Sequence, residues 1–319
     1  MKAAVLFPGQ GSQKVGMGFD LHEKHDFTKD IFKSLDSIAG RDISKIIFKG
    51  PDSELNQTKN TQPAIVTISA VLCELLKQEF KKREIKFSPL ACCGHSLGEF
   101  TAIWFLELLS TEDLLKIVSK RGDLMQRAPE GAMAAILNLD LEKINYFLKT
   151  ENVNNKITIA NYNSPTQYVI SGDKQVVNEI IPKIKSLGGK AILLPVSGAF
   201  HSYLMETSSK EFNSEIDKLH FLSKNTPISI FQNVDGKPSK STSEIKEKLK
   251  KQMTSPVQWI ETINNLTSVG IDSVIEIGPG KVLTGLVKKI NPNINCFNVF
   301  DYDSLIDFAN IYQNSLSYH

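Results

Sequence analysis

The sequence predicts an α/β protein: an open, mainly parallel sheet covered by helices, with a smaller ferredoxin-like unit inserted into it. Three observations carry that expectation. Short continuous apolar runs at 3–7 and 90–93 break off at glycine-containing turns, as does a third buried strand at 273–277, and runs without polar alternation suit strands buried on both faces of a parallel sheet. Helical periodicity fills stretches between them. Midway along the chain the rhythm changes to short strands and helices in close succession.

Taken in order, Ala3 to Phe7 is the first strand, cut off by Pro8 and Gly9. From Ala64 to Phe80, Ile65, Ile68, Leu72, Leu75 and Leu76 recur at helical spacing. Leu90 to Cys93 is the second buried strand. The middle predicts a strand over Ala132 to Leu137, a helix over Leu141 to Leu148, two strands (Ile157 to Asn161, Tyr168 to Ser171) around Asn163-Ser164-Pro165, a helix over Val176 to Leu187 and a strand over Ala191 to Leu194. Strand-helix-strand-strand-helix-strand is the ferredoxin-like order. It is expected as an insertion, 127–194, in a large unit made of 1–126 and 195–319. Lys237 to Ser243 is polar and reads as a surface loop. A third buried strand, Ser273 to Ile277, ends in Gly278-Pro279-Gly280 and leads into a helix from Val282 to Ile290. Ser304 to Leu316 is weakly amphipathic and reads as a docking helix.

Composition narrows the function classes. With 41% apolar and 23% charged residues, the 319-residue chain can bury a core and lies far from the profile of disordered chains. A net charge of +2, with both signs mixed along the chain, gives no basic field for nucleic acid. Cys73, Cys92, Cys93 and Cys296 form no zinc or redox spacing and read as buried thiols. No apolar stretch reaches the ~20 residues of a membrane span, and the apolar start is too short for a secretory leader. A cytoplasmic setting is expected, with no nucleic acid or membrane partner.

The chemistry is carried by Gly94-His95-Ser96-Leu97-Gly98, a G-x-S-x-G run directly after a buried strand and before a helical stretch. A serine on such a turn has its Oγ exposed, and the flanking glycines let the backbone bend without a Cβ clash. The Leu97 amide, at a helix N-terminus, can donate to a developing oxyanion. This context makes the large unit α/β-hydrolase-like. The serine needs a base within hydrogen-bond reach. His22, His25, His220 and His319 lie in polar or terminal stretches and read as surface groups. His95 adjoins the serine, and neighbours on such a turn tend to point apart. His201 sits in Ser197-Gly198-Ala199-Phe200-His201-Ser202, a strand-end loop of the kind that carries catalysis. Position alone leaves it between a base and an ordinary loop residue.

That loop, together with Phe7-Pro8-Gly9-Gln10-Gly11-Ser12-Gln13, the elbow and Glu276-Ile277-Gly278-Pro279-Gly280, resembles the malonyl-CoA:acyl-carrier-protein transacylases of bacterial-type fatty acid synthesis. The motifs stand in that family's order and spacing across essentially the whole chain. The resemblance implies that Ser96 is the acylated nucleophile and His201 its base, that the backbone amides of Gln10 and Leu97 form the oxyanion hole, and that the Gln252 carbonyl orients the histidine. It implies that Arg121, which by itself reads as a solvated helix arginine, pairs with the substrate carboxylate. His95, Asn163 and Phe200 would line the pocket, although a turn asparagine and a core phenylalanine look the same in sequence. The implied reaction moves malonyl from malonyl-CoA to the pantetheine thiol of an acyl carrier protein, with no metal or other cofactor; no oligomer is implied, and a monomer is expected. An acidic carrier could be drawn to Lys246 to Lys251, which otherwise reads as a solvated helix face. The rival readings are a serine esterase or thioesterase, a trans-acting polyketide acyltransferase and a non-catalytic relative.

Overall fold

The computed structural model describes residues 1–196, 198–222 and 226–316; Ser197 and His319 lie outside the described residues. The strands are β1 (Ala3–Phe7), β2 (Ala91–Gly94), β3 (Ala132–Leu137), β4 (Ile157–Ser164), β5 (Gln167–Gly172), β6 (Lys190–Leu193), β7 (Ser229–Phe231), β8 (Pro238–Ser239), β9 (Ser273–Ile277) and β10 (Asn295–Val299). Four helices, α1 (Phe19–Lys24), α2 (Asp26–Ala39), α3 (Ile43–Lys49) and α4 (Asp52–Leu55), precede the long α5 (Thr58–Lys82). Next come α6 (Gly98–Phe105), α7 (Thr111–Gln126), α8 (Leu141–Thr150), α9 (Lys174–Ser186), α10 (Glu206–Lys218), α11 (Thr242–Gln252), α12 (Trp259–Ser268), α13 (Val282–Ile290) and α14 (Tyr302–Leu316).

The larger sheet has the order β10-β9-β1-β2-β7-β8, parallel except for β8. The unbroken apolar run of β1 fits its central place. Ala3, Val5 and Phe7 share a core with α5, while Ala4 and Leu6 face Trp259, Ile263, Leu283 and Val287 of α12 and α13 on the other side. The second sheet is antiparallel in the order β4-β5-β3-β6, which is the ferredoxin-like arrangement. Its two faces separate by strand alternation. Ala132, Ala134 and Ile136 pack under α8 and α9, whereas Met133, Ala135 and Val169 join the core of the larger sheet. The second sheet is tied to the segment between α11 and α12, where Tyr162 N donates to the Val257 carbonyl (3.0 Å) and Val257 N to that of Ala160 (2.8 Å).

Departures from the sequence expectations have local causes. Helix α5 starts at Thr58, six residues before Ala64, because its first turns are polar and contain Pro63. Proline has no N–H to give the Lys59 carbonyl, and Arg41 Nη2 donates to that carbonyl instead, at 2.7 Å. The polar stretch 237–243 is not all loop: β8 pairs with β7, and Ser241 caps α11 by accepting from Glu244 N. His220 is exposed as expected. His22 and His25 are not surface groups: both are half-buried, His22 against Phe32 and Phe48 and His25 against Phe27 and Tyr302. Cys73, Cys92 and Cys93 are buried, but Cys296, near the sheet edge on β10, is only half-buried. Among the described residues no helix is long and apolar enough to cross a membrane, and no cluster of three or more His, Cys, Asp or Glu could hold a metal ion.

Candidate active site

The elbow is built where β1 and β2 end side by side, with Phe7 opposite Gly94. His95 N donates to the Phe7 carbonyl (3.0 Å), and Gly98 N returns to the His95 carbonyl (3.0 Å), closing a tight turn. Ser96 at its apex has φ of 48°, the left-handed region that side chains rarely occupy. The glycines are steric requirements. A Cβ on Gly94 would lie 2.0 Å from the Gly98 carbonyl carbon, and one on Gly98 would lie 2.0 Å from the Phe7 oxygen.

Ser96 Oγ lies 2.8 Å from His201 Nε2. The other ring nitrogen, Nδ1, faces two carbonyl oxygens, those of Gln252 (2.9 Å) and Ser255 (3.0 Å). Carbonyls only accept, so Nδ1 carries the proton and the neutral ring presents a lone pair at Nε2 to the serine hydroxyl. Among the described residues no carboxylate completes a triad. Burial, then the Arg121 charge, lower the His201 pKa to about 3 against the raising effect of the Gln252 carbonyl, which keeps the ring unprotonated at neutral pH. His201 also has positive φ, 58°.

Arg121, on α7, is fully buried rather than solvated. Its Nη1 donates to Gln62 Oε1 (2.9 Å), and its Nη2 to Ser96 Oγ (3.1 Å) and Gln252 Oε1 (3.0 Å). Nε has no partner among the described residues. Burial lowers its pKa to about 10, with Glu99 opposing the shift, so it remains a cation. Its described partners are amide oxygens and a hydroxyl, none a carboxylate. A buried guanidinium with spare donors beside Ser96 Oγ has the chemistry to receive an anionic oxygen pair.

Gln10, Leu97 and Phe200 join these groups around a cavity of about 90 Å³, with Gln62, His95, Asn161, Met125, Met133, Val169, Leu194 and Val196 completing its wall. Among the described residues no hydrogen bond uses the amide of Gln10 or of Leu97. The Gln10 side chain turns to Thr58 Oγ1 (3.2 Å). His95 Nε2 pairs with Asn163 Oδ1 at 2.8 Å rather than with the serine hydroxyl, and Asn161, not Asn163, joins His95 in the cavity wall. Burial lowers the His95 pKa. Lys246, Lys248 and Lys250 are engaged within the chain, on the Leu219 carbonyl, on Asp235 and Glu244, and on Asp217 and Glu247, which weakens them as a carrier patch.

Sequence reasoning missed Gln62, Asn161, Glu99 and the side chain of Gln252, whose Nε2 also donates to the Ser96 carbonyl (3.0 Å). Glu99 had a signal, the one charged residue in the helix Gly98–Phe105. The amides had none, because buried and loop amides look alike in sequence.

The acyl transferase domain family matches residues 5–293 of this chain. The malonyl CoA-acyl carrier protein transacylase of Staphylococcus aureus (strain MRSA252) is 41% identical over 303 residues, covering 93% of this chain and 95% of that protein. The chain belongs to this transacylase family. Its fold matches the crystal structure of the Clostridium perfringens transacylase with a TM-score of 0.87 at 34% identity, covering 99% of both chains. A malonyl-transacylase solved in complex with a type II PKS acyl-carrier protein matches with a TM-score of 0.88 at 33% identity, over 96% of this chain and 98% of that one. Family membership leaves the non-catalytic rival without support beside the intact Ser96, His201 and Arg121.

Proposed function

We propose that this transacylase carries malonyl from malonyl-CoA to the pantetheine thiol of an acyl carrier protein through a malonyl-Ser96 intermediate, supplying fatty acid synthesis. The observation that carries the reading is the pairing of Ser96 Oγ with a neutral His201 at 2.8 Å, beside a buried arginine that has no carboxylate partner among the described residues. His201 Nε2 takes the serine proton as Oγ attacks the thioester carbonyl. The amides of Gln10 and Leu97 receive the oxyanion, each such donor contributing ~3 kcal/mol. Collapse expels the coenzyme A thiolate, which leaves as the thiol with the proton from His201. The carrier thiol then runs the same steps in reverse, its proton passing through His201 to Ser96.

Arg121 grips the malonyl carboxylate in this reading, while an acetyl group leaves the guanidinium uncompensated. A buried charge left unpaired costs ~3–5 kcal/mol, a discrimination of roughly 10² or more. Phe200 narrows the wall against a branched extender, a weaker filter of ~1–3 kcal/mol per methyl. The reading assigns no step to a metal or redox cofactor, because Ser96, His201 and Arg121 supply its nucleophile, base and charge. A cytoplasmic location accords with it, as does a division into a small unit, 127–194, and a large one, 1–126 with 195–319. The separate core under α8 and α9 supports that division.

The test is the fate of the malonyl-enzyme. Its decay should accelerate by orders of magnitude when holo carrier protein is added, with malonyl recovered on the carrier thiol. Release of malonate to water at the same rate with and without carrier would make the protein a hydrolase.

A further inference from the structure

Immediately after β7, a pair of buried amides, Gln232 and Asn233, lies against the back of the elbow. Every polar atom of Asn233 is engaged. Its Oδ1 accepts from Ser96 N at 2.6 Å, and its Nδ2 donates to the Gly94 carbonyl at 2.7 Å. Its backbone N donates to Glu99 Oε2 (2.8 Å), and its carbonyl accepts from Gln258 N (2.8 Å). The other Glu99 oxygen accepts from Gln232 Nε2 at 3.0 Å. Glu99 itself is fully buried in the first turn of α6, where the helix N-terminus favours a carboxylate. One side chain therefore grips the elbow on both sides of its apex, and a buried carboxylate holds that side chain in place.

The consequence follows from which amide faces which way. A left-handed Ser96 stores strain on the order of 1–3 kcal/mol and persists only if its surroundings hold it. With Ser96 N–H drawn backward onto Asn233, the next amide in the turn, that of Leu97, is the one left for the cavity. We propose that Asn233, anchored by Glu99, is a positioning residue that fixes the nucleophile elbow so that Ser96 Oγ and the Leu97 amide converge on the same thioester. This rests on Ser96 being the acylated nucleophile. Asn233 is not part of the cavity wall, so its loss acts on turnover rather than on donor binding. A misplacement of about 1 Å in such a constellation lowers rate by ~10²-fold.

Two variants test the assignment, after the wild-type malonyl adduct has been mapped to Ser96 so that failure of the nucleophile assignment is seen first. In Asn233→Ala, kcat for malonyl transfer is expected to fall by roughly 10²-fold while KM for malonyl-CoA stays within about threefold. In Asn233→Asp the shape is kept, and protonation decides function. A neutral carboxyl can donate to the Gly94 carbonyl and accept from Ser96 N, whereas the carboxylate has no donor. Glu99 of α6 is the nearest titratable group facing that position, with Arg121 and His201 beyond Ser96. Activity of Asn233→Asp relative to wild type should therefore rise on acidification from about pH 9 to about pH 6. The assignment is overturned if folded Asn233→Ala keeps kcat within twofold of wild type, or loses KM rather than kcat. A flat pH ratio for Asn233→Asp overturns it as well, and decides the matter if Asn233→Ala does not fold.

Discussion

Ser96 and His201 both hold positive φ, 48° and 58°, and each is pinned by partners that accept or donate at 2.6–3.0 Å. Those partners hold both residues against the strain of positive φ and keep the hydroxyl and the imidazole in line, with backbone carbonyls behind the ring. The depressed His201 pKa has a definite sign. Between about 3 and the ordinary 6.5 the unfolded chain binds a proton that the folded site refuses, so this term is fully present above about pH 6.5 and is lost as pH falls through that window. Thermal midpoints measured from pH 7.5 down to about 4.5 should drop more steeply for wild type than for His201→Gln; equal slopes would contradict the buried neutral ring. Arg121→Ala should reduce the preference for malonyl over acetyl donors by roughly 10²-fold, read as a ratio of kcat/KM values. Equal losses for the two donors would remove Arg121 as the carboxylate receptor. At this scale Ser96 was legible, because G-x-S-x-G after a strand has a mechanical meaning. His201 and Arg121 came only with the family resemblance, since nothing in Ser119-Lys120-Arg121 distinguishes a buried guanidinium from a solvated one. Asn233 was illegible, as its role exists only where β7 meets the elbow.

Elements show the same division. The buried strands β1 and β9 were read to the residue, β1 because its apolar run serves both faces of the sheet and β9 because its bounds are marked by the Gly278-Pro279-Gly280 turn that follows. The ferredoxin-like order was legible from alternation alone. Strand β7 is three residues long, and β10, NCFNV, lies on the sheet edge with mixed polarity; neither carries a pattern that sequence can register. The start of α5 was hidden by Pro63 and by buried polar groups that find partners only in three dimensions. The elbow makes an element-scale prediction. In Gly98→Ala the new methyl meets the Phe7 carbonyl oxygen at 2.0 Å, a backbone atom of the central strand that cannot give way. A loss of more than ~3 kcal/mol is expected by denaturant titration. A variant of wild-type stability would show that the turn is not as closed as described.

At the scale of the molecule, the site belongs to neither sheet alone. β1 and β2 deliver the elbow, α7 delivers the arginine, and the second sheet closes the wall with Met133, Asn161 and Val169. Many of the described ion pairs, by contrast, are exposed pairs within about one helical turn, as in Lys29–Asp26, Lys116–Glu112 and Lys143–Asp140. Such pairs contribute little, so raising salt from about 0.05 to about 0.5 M should move the thermal midpoint by under ~3 °C. A larger loss would mean that surface charge carries the fold. The most direct measurement is the intact mass of the protein after exposure to malonyl-CoA, followed by peptide mapping. The account predicts a single malonyl increment on the peptide containing Ser96, absent in Ser96→Ala; an increment on another residue, or one that survives Ser96→Ala, would contradict it.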